Sequence, residues 1–153
     1  MEMNYRKITG AVYAITALIY SVIFALKLDF SIQLQSYFTL EYYMQFVSLI
    51  VSMMLLFAGI YLYLKKLKTN FTLALFGHTV LEEVLFDWIE ITTSNLPIYA
   101  IPIFLLFAIV ALWFAYSNTF NLKRLSYKEV IVSLLFGAIE SFLSGYLLSK
   151  YMM

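Results

Sequence analysis

The sequence predicts an all-α fold, a polytopic membrane bundle of five transmembrane helices with the N-terminus inside and the C-terminus outside. Three observations predict it. Of 153 residues, 63% are hydrophobic and only 12% charged, with mean hydropathy +0.87; a water-facing domain carries about 25% charged residues. That composition excludes a disordered chain, a nucleic-acid module and an ordinary cytosolic enzyme. Five apolar stretches, roughly 8–27, 43–64, 71–92, 98–117 and 129–149, meet the length a spanning helix needs. They are too long and continuous for barrel strands, and only helices or closed barrels satisfy their backbone groups in lipid. Finally, the basic residues sort by side. With the N-terminus inside, Arg6, Lys7, Lys65, Lys66, Lys68, Lys123, Arg124 and Lys128 lie inside, eight of ten, and only Lys27 and Lys150 lie outside. The expected location is a cell membrane, multi-pass, with residues 1–153 forming one domain.

Arg6 and Lys7 precede an apolar run from Ile8 to Leu26 that is too long for the core of a signal peptide, so it is read as a retained first helix. The connection 28–42 alternates Leu28, Phe30, Ile32 and Leu34 with Asp29, Ser31, Gln33 and Gln35. Period 2 predicts an extended segment along the interface, where Tyr37, Phe38, Tyr42 and Tyr43 sit comfortably. Lys65, Lys66 and Lys68 separate the second and third helices; Ser94, Asn95 and Pro97 end the third; Pro102 falls in the first turn of the fourth. Asn118, Asn121, Lys123 and Arg124 separate the last two. The fourth helix has no ionisable residue and is expected to pack peripherally. Polar stripes on the first helix (Thr9, Tyr13, Thr16, Tyr20) and the second (Gln45, Ser48, Ser52, Gly59, Tyr63) read as pocket walls or, more often for such stripes, as interhelical hydrogen bonds. No cysteine is present, which removes disulfides and thiolate metal sites.

The third helix carries His78, Glu82, Glu83, Asp87 and Glu90 in one apolar span. Ionised acids at a helix centre cost about 2.5–3.5 kcal/mol each on insertion scales, so these side chains must face the bundle interior, be protonated or hold cations. At about 100° per residue, with His78 at 0°, Glu82 falls near 40°, Glu90 near 120°, Glu83 near 140° and Asp87 near 180°. His78 and Glu82 are spaced i, i+4 and share a face. Glu83, Asp87 and Glu90 form a second stripe, the outer part of a proton or ion path that climbs the helix. A carboxylate-rich site with one imidazole suits a divalent cation such as Mg²⁺, Mn²⁺ or Ca²⁺, with His78, Glu82, Glu83 and Glu140 as ligands.

Glu140 lies on the fifth helix at the same depth as Glu82 and Glu83. Beside it runs a small-residue ridge, Ser133, Gly137, Ser141, Gly145 and Ser149, that lets another helix approach closely. If that neighbour is the third helix, His78, Glu82, Glu83 and Glu140 form one central cluster. No Lys or Arg lies in the membrane core to neutralise them.

Leu81-Glu82-Glu83-Val84-Leu85-Phe86 resembles the acidic signature of the membrane-embedded lycopene cyclase subunit family, over these six residues. Val80 stands where that family has proline. The resemblance implies carboxylic acids, here Glu82 and Glu83, that protonate a polyene so that it cyclises.

The leading expectation is acid–base chemistry on a lipid or isoprenoid substrate, metal-assisted or not. Glu82 and Glu83 would be general acid and base, His78 a proton partner, and Glu140 would stand opposite. Two alternatives are translocation of protons or cations along the acidic third helix, and service as an accessory subunit of a membrane complex. Expected partners are membrane lipids, a hydrophobic small molecule or cation, and a second copy or a complex partner; nucleic acid is not among them.

Overall fold

The computed structural model describes residues 2–30, 33–92 and 94–151, with side chains described except at 2, 3, 36, 40, 41 and 143–151. The elements run α1 (Glu2–Ala25), a 3₁₀ turn (Leu34–Phe38), α2 (Leu40–Met44), α3 (Val47–Leu64), α4 (Thr69–Trp88), α5 (Ile101–Ser117) and α6 (Tyr127–Tyr151). No strand occurs among the described residues. The five long helices therefore stand where the apolar stretches place them. Two stretches, Asn4–Ala25 and Tyr42–Leu64, are long and apolar enough to cross a membrane, and Ile101–Ser117 is a shorter apolar helix.

The α1 and α3 helices form an antiparallel pair built on glycine. A Cβ on Gly10 would lie 2.8 Å from the Gly59 carbonyl, and one on Gly59 would lie 2.6 Å from the Ala14 amide nitrogen. Each glycine thus admits the other backbone, a close approach that no larger residue allows. Arg6, only 7% exposed, donates from Nη1 to the carbonyls of Leu62 and, at 2.7 Å, Tyr63. A guanidinium there satisfies the last carbonyls of α3 and meets the negative end of its dipole. Arg6 is therefore a helix cap. The polar stripes do join elements: Ser21 and Ser52 share a hydrogen bond of 2.8 Å, and the Tyr13 hydroxyl donates to the Phe107 carbonyl at 3.2 Å.

Over Leu34–Phe38 and from Leu40 on, the 28–42 connection is helical rather than extended. Tyr37 packs edge-on against Tyr42 at 4.8 Å, and Tyr42 against Phe46 at 5.4 Å. With no neighbouring strand to pair with, the backbone closes its own hydrogen bonds in a 3₁₀ turn and a short helix. Ser31 and Ile32 lie outside the described residues.

At the centre is α4, which packs against α3, α5 and α6. The α5 helix packs on α4 from one side and keeps an exposed outer face, as a peripheral helix does. Its Phe104, Ala108, Ala111 and Ala115 are all buried, at helical spacing, and Gly77 of α4 backs onto Ala108 and Leu112. Small residues on both sides bring these two helices together. Pro102, in the first turn of α5, costs no helical hydrogen bond there.

The basic residues near the start of α1 and of the α3–α4 and α5–α6 connections gather at one end of the bundle. Besides the Arg6 cap, Asn70 donates to the Lys123 carbonyl at 3.0 Å, which ties the start of α4 to the α5–α6 connection. At the opposite end Lys27 donates to the Tyr99 hydroxyl at 2.9 Å. The side chain of Lys150 lies outside the described residues.

Candidate functional site

The α6 helix lies parallel to α4, in constant register. His78 meets Ser133, Glu82 meets Gly137, and Phe86 packs on Phe142 with ring centroids 5.1 Å apart. Ser133, Gly137 and Ser141 are buried against α4, as the small-residue ridge predicts; the side chain of Ser149 lies outside the described residues, as does any packing at Gly145. The neighbour of Glu140 is thus the helix that carries the other acids.

Starting from the basic end, the Tyr116 hydroxyl of α5 lies 3.0 Å from His78 Nε2. His78 Nδ1 lies 2.8 Å from the Ser133 hydroxyl, which itself donates to the Val130 carbonyl at 2.8 Å. If Ser133 spends its proton on Val130, Nδ1 must be the donor to Ser133, so Nε2 accepts from Tyr116. His78 is only 6% exposed, and both its ring nitrogens are engaged.

One turn on, the Glu82 carboxyl turns toward α6. A Cβ on Gly137 would lie 2.5 Å from Glu82 Oε2. The absent side chain at residue 137 is the room in which this carboxyl sits. Glu82 Oε2 is buried with no hydrogen-bond partner.

Glu83 takes a different direction. It is 1% exposed, and its Oε1 accepts from the amides of Asn95 at 2.7 Å and Leu96 at 3.2 Å and from the Ser94 hydroxyl at 3.1 Å. Asp87 Oδ1 accepts from the Ser94 amide at 2.9 Å. The Ser48 hydroxyl of α3 donates to the Asn95 carbonyl at 2.7 Å. The connection after α4 is thus clasped by two α4 carboxyls and one α3 hydroxyl. Glu83 Oε2 remains buried without a partner, as does Asn95 Nδ2.

Both carboxyl oxygens of Glu140 are also buried and unpartnered, close enough to Glu83 for their charges to interact. Glu82 and Glu140 thus lie on the α4–α6 interface with His78 one turn from Glu82, while Glu83 is directed to the loop.

Two expectations are corrected. Glu90 is exposed and off the helix, which ends at Trp88. The Ile91 amide bonds back to the Phe86 carbonyl and the Glu90 amide to that of Asp87, with Glu90 at φ 60°. This closure around a left-handed residue stops the helix four residues early and removes Glu90 from the acidic stripe. The divalent-cation site does not stand either. Among the described residues no three His, Asp or Glu side chains converge to hold a metal ion. The His78 nitrogens are committed to Tyr116 and Ser133, and Glu83 Oε1 is committed to the loop, so the four named residues present no common point.

Tyr116 had no signal in the sequence, and Ser94 and Asn95 signalled only the end of a helix. Cavities lie between the end of α5 and the start of α6 and between α3 and α4. One, of about 320 Å³, is lined by Tyr116, Asn118, Arg124 and Leu125 among others at the basic end. Another, of about 260 Å³, lies between α3 and α4 beside Phe57 and Leu75. Neither is lined by Glu82, Glu83 or Glu140. Compared with protein-family models, with curated proteins and with solved structures, the chain matches none.

Proposed function

We propose that this chain crosses a cell membrane with its five long helices, N-terminus inside, and passes protons along the α4–α6 interface. The membrane reading is supported by the predicted spans and by the outward face of the bundle, where Val22, Phe57, Leu106, Trp113, Leu135 and Ile139 are exposed. An apolar surface so extensive is expected to face lipid rather than water.

The single observation that carries the proton reading is the ordered line of exchangeable groups between two ends of the bundle. Tyr116 borders the basic-end cavity; His78 and Ser133 continue the line; Glu82, Glu140 and Glu83 follow; Asp87 and Ser94 stand at the opposite end. Imidazole, hydroxyl and carboxyl groups each give and take protons, which is what a relay across a membrane uses.

Acid–base chemistry on a lipid or isoprenoid is the competing reading. It needs an opening from the bilayer to Glu82 or Glu140. The Glu82–Glu83 pair of the cyclase-like motif also divides its duties here: Glu83 holds a loop while Glu82 faces α6. Service as an accessory subunit needs the acids on the bundle's exterior, and Glu82, Glu83 and Glu140 turn inward.

The test is proton flux into liposomes that contain the purified chain, followed with an entrapped pH-sensitive dye. Flux above that of empty liposomes, reduced at least about tenfold by Glu82→Gln, is expected. Empty-liposome flux from the wild type overturns the reading.

A further inference from the structure

The basic-end cavity lies between the last turn of α5 and the start of α6. The geometry points to a binding site there for a phosphate group, either a lipid headgroup or free phosphate. The inference does not rest on proton transfer; it stands on what lines the cavity.

Arg124 lines it and no acidic residue does. Among the described residues the ion pair nearby is Lys123 with Glu129, at 3.7 Å, which leaves the Arg124 guanidinium outside any ion pair. A planar guanidinium offers paired donors that match two phosphate oxygens.

Asn118 supplies a second donor by an argument from its partner. The buried Asn70 donates from Nδ2 to Asn118 Oδ1 at 3.0 Å. That bond fixes which end of the Asn118 amide is oxygen, so its NH₂ is left to donate at the cavity wall. Asn70 also holds the Lys123 carbonyl, beside Arg124, so one buried side chain fixes the Asn118 amide and ties down the backbone next to Arg124. Ala115, Leu125 and Val130 add apolar lining. A cavity that combines two anion donors with aliphatic groups suits the head and glycerol region of a phospholipid at the membrane interface. Free phosphate would engage the donors alone.

The experiment uses the full chain in neutral detergent and reads the shift in thermal unfolding on titration. One arm adds inorganic phosphate and the other a short-chain phosphatidic acid. Stabilisation in both arms assigns the site to the phosphate group itself, and stabilisation in the lipid arm alone assigns it to a headgroup. Arg124→Gln and Asn118→Asp are each expected to weaken the apparent Kd about tenfold or more. Asn118→Asp keeps the oxygen that Asn70 needs while replacing the free donor by an acceptor, so the fold is retained. Lys123→Gln is the control for diffuse charge and should leave the Kd within about twofold. No shift in either arm overturns the proposal, as does an equal loss in Lys123→Gln and Arg124→Gln, or an unchanged Kd in Asn118→Asp.

Discussion

The Glu82 carboxyl of α4 occupies the space that a side chain at Gly137 of α6 would fill, 2.5 Å from the position of its Cβ. The same Cβ would lie 3.0 Å from the Thr79 Cα, which is backbone and cannot turn aside. Gly137→Ala should therefore push α6 off α4 as well as displace Glu82. The expected cost is about 1–3 kcal/mol of stability, measured by denaturation in mixed micelles, together with loss of proton flux. Unchanged stability and flux would show that the two helices do not meet here.

The glycines of the other interfaces should rank by what they face. A Cβ at Gly59 meets backbone atoms of α1 at 2.6 and 2.8 Å, whereas one at Gly77 meets the Leu112 side chain first, at 2.5 Å. A leucine can change rotamer; a packed backbone must separate. Gly59→Ala is expected to destabilise by about 1–3 kcal/mol, and Gly77→Ala by less, in parallel unfolding titrations.

Glu83 joins two roles that substitutions can separate. Glu83→Ala leaves the amides of Asn95 and Leu96 without their acceptor in a buried loop, at an expected cost of about 1–3 kcal/mol or more. Glu83→Gln keeps an acceptor oxygen and should retain most of that stability, yet it carries no exchangeable carboxyl proton. Thermal unfolding and flux on the two variants check this: Gln is expected stable and inactive, Ala unstable.

Two helix ends close around side-chain-bearing residues in the left-handed region, Lys65 at φ 54° and Glu90 at φ 60°. At both, the amide of the following residue bonds back to the helix, Lys66 to Tyr61 and Ile91 to Phe86. Glycine takes this conformation without the steric penalty of a Cβ, though it also loosens the unfolded chain. Lys65→Gly and Glu90→Gly are each expected to raise stability by roughly 0.5–1 kcal/mol, read from denaturant midpoints at constant slope.

Helix positions were legible because apolar runs bounded by Lys, Pro and Asn report element and length together. The α4–α6 pairing was legible in the spacing of Ser133, Gly137 and Ser141, since small residues mark close approach. The early end of α4 was not, because its left-handed residue is Glu90 and not the glycine that usually signals such a stop. The turn at 34–38 was hidden by an alternation that imitates a strand. Sequence spacing put His78 near Glu82 and named both as ligands; it could not show that Tyr116 and Ser133 engage the imidazole, since those contacts come from two other helices. Glu83 was found for its charge, while its grip on the Ser94–Leu96 loop depends on where the chain turns back.

The central claim is that protons cross at the α4–α6 interface, and the most direct measurement is the proton permeability of liposomes holding wild type, Glu82→Gln, Glu140→Gln or Glu90→Gln. Wild type and Glu90→Gln should conduct alike, because Glu90 lies off the helix and exposed, while Glu82→Gln and Glu140→Gln should fall at least about tenfold. Equal flux from all four, or flux no greater than that of empty liposomes, would contradict the account.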